Sequence, residues 1–418
     1  MRNAFKIAAG IDVHRDTVVV SVRKKKTNTD EDEVETRTFE TFRDSLIEMS
    51  DWLRRSGVEA VGLESTGVYW MPVVRVLQED QPSLLVWLVN PLDVKRRAGR
   101  KTDRKDSQWI SELVLYARVA PSYLPSRKQE ELRKLTRHRT KLVADQARYS
   151  NRIVKELESS GVKLASVMTD CLGTTGRSII NALLAKQQRL DDVADLARGK
   201  LRKKIPLIRR ALDGAFTPST ETVLRHLLAL SDLVDEHVAA LDARIAELMV
   251  NQTSAQALAM TVPGIRETSA ATVLAESGAD MSVFATSKHI TAWAGLSPGS
   301  NESAGKAKAA PARKGNKYLR TALVQSAWSA VRMKQGFWPV AFRKLRARLG
   351  PKKAIVAIAR KMLVALYYVL RDATPYRDPA NAPSSEKLRK RLVRRLTDKL
   401  QALGYNVSLA QNPSAGVS

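Results

Sequence analysis

Four carboxylates in the first quarter of the chain stand where metal-assisted phosphate chemistry would need them. Asp12 follows the apolar run 5–11, Glu64 ends the run 58–64, and Asp103 and Asp106 open an amphipathic segment. Residues three apart on a helix share a face, so the last two acids can point the same way. An acid that ends an apolar strand is costly to desolvate unless its charge meets a cation. Oxygen-only donors suit Mg²⁺, with Mn²⁺ able to substitute. Two such ions about 4 Å apart can clamp the attacking and leaving oxygens of a phosphodiester. Each acid also has an ordinary reading, as a helix N-cap for Asp103 or Asp106 and as a turn residue for Asp12. Their joint order along the chain favours the metal. His14 lies beside Asp12 and could reach a phosphate, but five histidines without paired spacing do not make a histidine-based metal site.

Those acids need a scaffold, and residues 5–125 alternate strand and helix signals. The segments 5–11, 17–23 and 34–42 read as strands, followed by a helix at 43–56 that ends at Gly57. A strand at 58–64, a helix at 68–79, an apolar strand at 84–89 and an amphipathic helix at 106–119 complete the set. Three meandering strands, then helix–strand–helix–strand–helix, is the order of the RNase H-like α/β fold. A Rossmann-type sheet would instead require a glycine-rich turn after the first strand, where this chain has Asp12-Val13-His14-Arg15.

Residues 126–250 change character. Leu132, Leu135, Leu142, Tyr149 and Ile153 recur at heptad-like spacing, as do Leu227, Val234, Val238, Leu241, Ile245 and Leu248, with Ser231 as the break. The spacing predicts long, coiled-coil-like helices packed against each other across a homodimer or homotetramer interface. Shorter helical elements are expected at 173–184 and 200–208. Residues 251–375 read as a mostly α C-terminal domain interrupted by a loop at 296–316. It opens on Val262-Pro263-Gly264-Ile265 and a helix at 268–276, which resembles a helix-hairpin-helix element whose Gly264 turn aims backbone N–H groups at a phosphate. Arg266 stands where a second glycine is usual, so a plain helix–turn–helix packing unit is the other reading. Residues 376–418 form a basic tail, with an amphipathic helix at 386–403 and an end expected to be disordered.

Charge narrows the partner. Among 418 residues, 70 Lys and Arg against 43 Asp and Glu leave a net +27, which points to a polyanion. From Ser303 to Arg371 there are 17 Lys and Arg and no acid, and Lys306, Arg313 and Lys314 lie in its first part. A second concentration, with Arg100, Lys101, Arg104 and Lys105, surrounds Asp103 and Asp106, although a short run of this kind can also be a solvated face. Nucleic acid is the first expectation, and charge by itself does not separate DNA from RNA. No run approaches the roughly 20 apolar residues that span a bilayer, so no membrane is expected. The N-terminal residues do not read as a signal peptide, and the single Cys171 excludes a disulfide framework. The expected location is a reducing cytosol.

These motifs carry a resemblance. Gly10-Ile11-Asp12-Val13-His14, Glu64-Ser65-Thr66-Gly67 and Lys101-Thr102-Asp103-Arg104-Lys105-Asp106 are similar to the N-terminal half of the DEDD-type insertion-sequence transposases, the IS-one-ten family. Val262-Pro263-Gly264-Ile265, Ala294-Gly295-Leu296-Ser297-Pro298, Ser303-Ala304-Gly305-Lys306 and Lys314-Gly315-Asn316 follow that family's C-terminal order. The resemblance covers roughly 5–125 and 255–335. It implies a RuvC-like metal-dependent domain at 1–125, an oligomerisation region at 126–250, and a transposase domain at 251–375 that carries a nucleophilic serine. Where the family commonly has Ser-Ser-Gly-Gly-Lys, this chain reads Glu302-Ser303-Ala304-Gly305-Lys306, which leaves Ser303 as the candidate and Ser300 as a distant second. Without the resemblance, Ser303 would be an ordinary loop residue. The implied activity is transposition of the chain's own mobile element, guided by a structured RNA which that element encodes. Double-stranded DNA as the partner, and a prokaryotic cytoplasm in association with the nucleoid as the location, are likewise what the resemblance implies. The competing activities are a junction-resolving, metal-dependent nuclease with the same four acids, and a nucleic-acid-binding protein in which they are inactive.

Overall fold

The computed structural model describes residues 5–25, 32–64, 67–89, 103–186, 189–298, 302–303, 306–307, 315–379 and 386–409. The chain divides into two compact units, Met1–Ser126 and Arg127–Ser418. No helix among the described residues is long and apolar enough to cross a membrane.

In the first unit, β1 (Ile7–Val13), β2 (Thr17–Lys24) and β3 (Glu33–Glu40) form an antiparallel meander. Helix α1 (Arg43–Arg55) leads to β4 (Ala60–Glu64), and α2 (Trp70–Asp80) leads to β5 (Leu85–Val89). The sheet order is β3-β2-β1-β4-β5, with β4 parallel to both β1 and β5. Parallel neighbours need crossovers, and α1 and α2 supply them. Side-chain period two then sorts the strands. Ala9, Ile11, Val18, Val20, Val61 and Leu63 bury against Leu46, Met49, Leu53, Val73 and Leu77 of α1 and α2. Ala8, Ala60 and Val89 pack on the opposite side with Ile110, Leu113 and Val114 of α3 (Asp103–Leu115). Two of the boundaries that differ from the sequence reading bear on the acids. The first strand runs on to Val13, so Asp12 lies within it, and α3 begins at Asp103, so both acids lie in its first turn.

In the second unit, α4 (Arg127–Ser159) and α8 (Pro218–Met249) form an antiparallel hairpin. At its far end lie α5 (Thr174–Ala185), α6 (Leu190–Asp195) and α7 (Ile205–Ala211). Thr217 caps α8 by accepting from Thr220 N at 3.2 Å, and Pro218 supplies a pre-set first turn. Leu132, Ile153 and Leu157 on α4 are buried, as are Leu224, Leu228, Val234 and Ile245 on α8. The two helices thus pack on each other within one chain, while Leu135, Leu142, Tyr149, Leu227, Val238, Leu241 and Leu248 of the heptads are half-buried. Ser231, the break in the heptads, is buried and pairs with Gln146 Nε2 at 3.1 Å, a polar contact of the kind that sets register.

The base of the hairpin shares a core with the C-terminal helices, in which Leu132, Ile245 and Met249 meet Ala271, Leu274 and Ala275. Those helices are α9 (Thr253–Met260), α10 (Glu267–Ser277), α11 (Ser287–Trp293), α12 (Lys317–Val331), α13 (Phe337–Leu349) and α14 (Pro351–Arg371). The central helix is α14, which α9, α11, α12 and α13 all touch. A basic helix α15 (Glu386–Ala402) follows, and the tail end expected to be disordered, 410–418, lies outside the described residues.

The Pro263-Gly264 turn joins α9 to α10 as expected, but Gly264 has a packing reason. Its φ is +90°, and a Cβ there would overlap Ser326 O and lie 2.8 Å from Ala330 N on α12. The glycine thus lets the turn rest on a neighbouring helix backbone.

Candidate active site

Register and close packing bring the acids of the first unit to one sheet edge. Gly10 pairs with Gly62 and Ile11 with Leu63, so the next step along both parallel strands brings Asp12 beside Glu64. Period two places both on the α3 face, in line with Ala8 and Gly10 and with Ala60 and Gly62. Across that face, Gly62, Gly10, Ser21 and Thr36 form one row of small residues over four strands. Helix α3 lies in this trough. A Cβ at Gly10 would overlap Ser107 O and Ser111 N and lie 2.9 Å from Ile110 C, so helix backbone rests directly on strand backbone. The first turn of α3, with Asp103 and Asp106, is thereby held at the carboxyl end of β1 and β4.

Polar contacts set the rotation of that helix. Ser21 Oγ and Ser107 Oγ, both fully buried, are 2.8 Å apart, and Ser21 Oγ also meets Thr36 Oγ1 at 2.9 Å. Arg23 donates to Ser111 Oγ and to Gln108 O, each at 3.2 Å, and pairs with Asp32 at 3.2 Å. Tyr116 donates its hydroxyl to Asp32 at 3.0 Å, and burial together with that acceptor pushes its pKa up. Sequence reasoning passed over this row because small and hydroxyl residues carry no hydrophobic period. Its signal was the interruption of two apolar strands by Gly10 and Gly62.

Asp12 is largely buried, with 17% of its side chain exposed, and its Oδ2 stands 3.3 Å from His14 Nε2. Glu64 and Asp106 are half-buried. Among the described residues, no three His, Cys, Asp or Glu side chains already stand together as a metal site. What the fold provides is Asp12 and Glu64 on neighbouring strands on the α3 face, and positions 103 and 106 in the first turn of α3.

The second unit builds the serine-bearing loop on the C-terminal end of α11. At the loop's entry, Leu296 N donates to Thr291 O at 3.0 Å and Ser297 Oγ to Thr291 Oγ1 at 3.1 Å. At its exit, Asn316 N donates to Trp293 O at 3.0 Å, and a Cβ on Gly315 would overlap Gly295 N. Both feet thus rest on one helix end. Between them, β6 (Glu302–Ser303) pairs antiparallel with β7 (Lys306–Ala307), which sets Ser303 opposite Lys306. Ser303 and the four acids lie in different units.

Of the candidate nucleic-acid contacts, Arg104 and Lys105 lie in the first turn of α3, with Lys105 exposed. Arg100, Lys101, Arg313 and Lys314 lie outside the described residues, as does Ser300. Arg343, Lys344, Arg346, Arg348, Lys352 and Lys353 are exposed on α13 and α14.

Comparison with known proteins meets this architecture at both ends. Residues 9–161 match the family model of DEDD-type IS110 transposases, described as "Transposase". Residues 256–338 match a second, described as "Transposase IS116/IS110/IS902 family". A protein of Sinorhizobium fredii (strain NBRC 101917 / NGR234) named "Putative transposase y4rJ" is 27% identical over 328 residues, covering 74% of this chain and 75% of that one. Both family matches fall on the two segments that hold the acids and the serine loop, and they occur in the expected order. The chain belongs to the IS110 family of insertion-sequence transposases.

Proposed function

We propose that this transposase cuts and rejoins DNA through Ser303, with Asp12, Glu64, Asp103 and Asp106 as the metal-holding set of an RNase H-like, RuvC-like domain. The observation that carries the reading is the placement of all four acidic positions at one edge of one sheet face, with α3 seated on Gly10. The order β3-β2-β1-β4-β5 supports the RNase H-like assignment. An all-carboxylate donor set suits Mg²⁺, or Mn²⁺ in its place, better than a soft metal. Such ions, when bound, lower the pKa of an oxygen nucleophile and offset charge on the scissile phosphate. Asp12 and Glu64 would hold them from the sheet, and Asp103 and Asp106 from the helix.

The reaction balances simply. The Ser303 Oγ–P bond forms, the P–O bond to the departing sugar oxygen breaks, and the proton that serine gives up is matched by one the departing oxygen gains. The phosphoserine ester keeps the bond energy of the phosphodiester, so a strand hydroxyl can later displace the serine and rejoin the backbone. The substrates are double-stranded element ends and target, with an element-encoded structured RNA as guide and a homodimer or homotetramer as the working assembly.

Denaturing electrophoresis of labelled DNA with guide RNA tests this reading. The wild-type protein should show a protein-linked band that Ser303→Ala lacks. Losing one loop hydroxyl should change stability by no more than about 0.5 kcal/mol. Cut DNA from Ser303→Ala, with no linked band in the wild type, would move the assignment to a junction-resolving nuclease that attacks with water.

The acid-free stretch makes a further prediction. Each phosphate neutralised on duplex DNA contributes about −0.9 to the log–log slope of affinity against salt. Neutralising Lys306, Arg313 and Lys314 together should flatten the slope by about two to three units. An unchanged slope places the DNA elsewhere.

A further inference from the structure

Glu276 is a fully buried carboxylate in the last turn of α10. Two local costs weigh against an acid there. Burial penalises its charge, and the helix dipole disfavours negative charge near a C-terminus. Its partners come from far along the chain. Arg137 reaches it with two bonds, Nε to Oε1 and Nη2 to Oε2, each 2.7 Å. Arg133 Nε stands 3.6 Å from Oε2 and donates to Ala275 O at 2.9 Å, while its Nη2 donates to Glu276 O. Those carbonyls are the open end of α10, so the first turns of α4 cap that helix.

The remaining bond leads to the serine loop. Asn316 Nδ2 donates to Glu276 Oε2 at 2.6 Å, while Asn316 Oδ1 accepts from Tyr318 N and Leu319 N at 3.1 Å each. One side chain thus caps α12 and ties the exit of the loop to the buried cluster. The guanidinium of Arg137 also lies over the Tyr318 ring at 4.9 Å, beside the same foot. Apolar residues often replace a buried ion cluster without loss of stability, so its use here argues for fixing a geometry.

We propose that Glu276 is a positioning residue for the serine-bearing loop, gripping its exit through Asn316 and coupling it to the base of the long helical hairpin through Arg133 and Arg137. The proposal rests on the reading of Ser303 as nucleophile. A shift of α4 against α10 would then release the foot on which the loop stands.

The test exchanges the polarity of one hydrogen bond. Asn316→Asp keeps a good N-cap but removes the donor and sets two carboxylates against each other. Combining it with Glu276→Gln restores a donor on the other side. Two readouts are needed: amide hydrogen exchange at Asn316, Tyr318 and Leu319, and the rate of serine–DNA adduct formation at saturating DNA. Asn316→Asp should speed exchange at Asn316 and slow adduct formation by about 10²-fold, the scale of an ångström misplacement, with DNA affinity unchanged. The double variant should recover most of both losses. A merely structural role predicts faster exchange with an unchanged adduct rate, and that result would overturn the proposal, as would no effect on either. If the wild type itself forms no Ser303-dependent adduct, the nucleophile reading fails first, and that failure is visible without any variant.

Discussion

Asp12→Asn and Glu64→Gln should each lower strand cleavage by at least about 10³-fold, equal to about 4 kcal/mol of lost transition-state stabilisation. Both changes keep the volume of the side chain and remove its charge, so the packing around α3 is undisturbed. The residue at position 12 would keep His14 as its neighbour, whose Nε2 stands 3.3 Å from Oδ2 of Asp12. Affinity for DNA should hold, because Lys and Arg on phosphates supply most of it. Stability should hold or rise. Acids collected at one edge repel each other when no cation lies between them, and each amide relieves part of that repulsion. The three outcomes together distinguish ligands from structural acids, since a structural acid would lose stability when neutralised. Cleavage of labelled DNA in Mg²⁺, filter binding and thermal melting supply the measurements. Wild-type cleavage by Glu64→Gln removes Glu64 from the set.

Gly10→Ala should be the most damaging single methyl in the first unit. The added carbon would overlap Ser107 O and Ser111 N, both helix backbone, so no side-chain rotation relieves it. Helix α3 must lift, and with it the buried Ser21–Ser107 contact at 2.8 Å. Overpacking of this kind costs about 1–3 kcal/mol and more where backbone must move, so about 3 kcal/mol is expected. Cleavage should fall as well, because the first turn of α3 carries Asp103 and Asp106. Gly62→Ala is the control. Its nearest neighbours are side-chain methyls, Val114 Cγ2 and, at 3.0 Å, Ile110 Cγ2, which can adjust, so about 1 kcal/mol is expected. Denaturant unfolding of the two variants decides the matter. Equal losses, or a larger one at Gly62, would show that α3 is not seated on Gly10.

What could be read from sequence was whatever depends on neighbours along the chain. Apolar runs bounded by turn residues identified the strands and put Asp12 and Glu64 at strand ends. Heptad spacing announced the two long helices. An acid-free stretch of 69 residues announced a polyanion. Spacing of Asp103 and Asp106 allowed both to share a helix face, and the helix began three residues sooner than its apolar pattern did, because polar first-turn residues carry no period. Tertiary structure decided the rest. A heptad stripe states that a partner helix exists but not whose it is, and here α8 supplies it to α4 within one chain. The glycine of the Pro263-Gly264 turn fits a phosphate contact and a tight packing turn equally well as a sequence, and the approach of α12 favours packing. Glu276 gave no sign at all. Its partners Arg137 and Asn316 lie 139 and 40 residues away, and a buried charge makes sense only once the groups that neutralise it are in place. Local periodicity follows from steric repeats of the backbone, whereas close approach and ion burial arise only when distant segments are packed together.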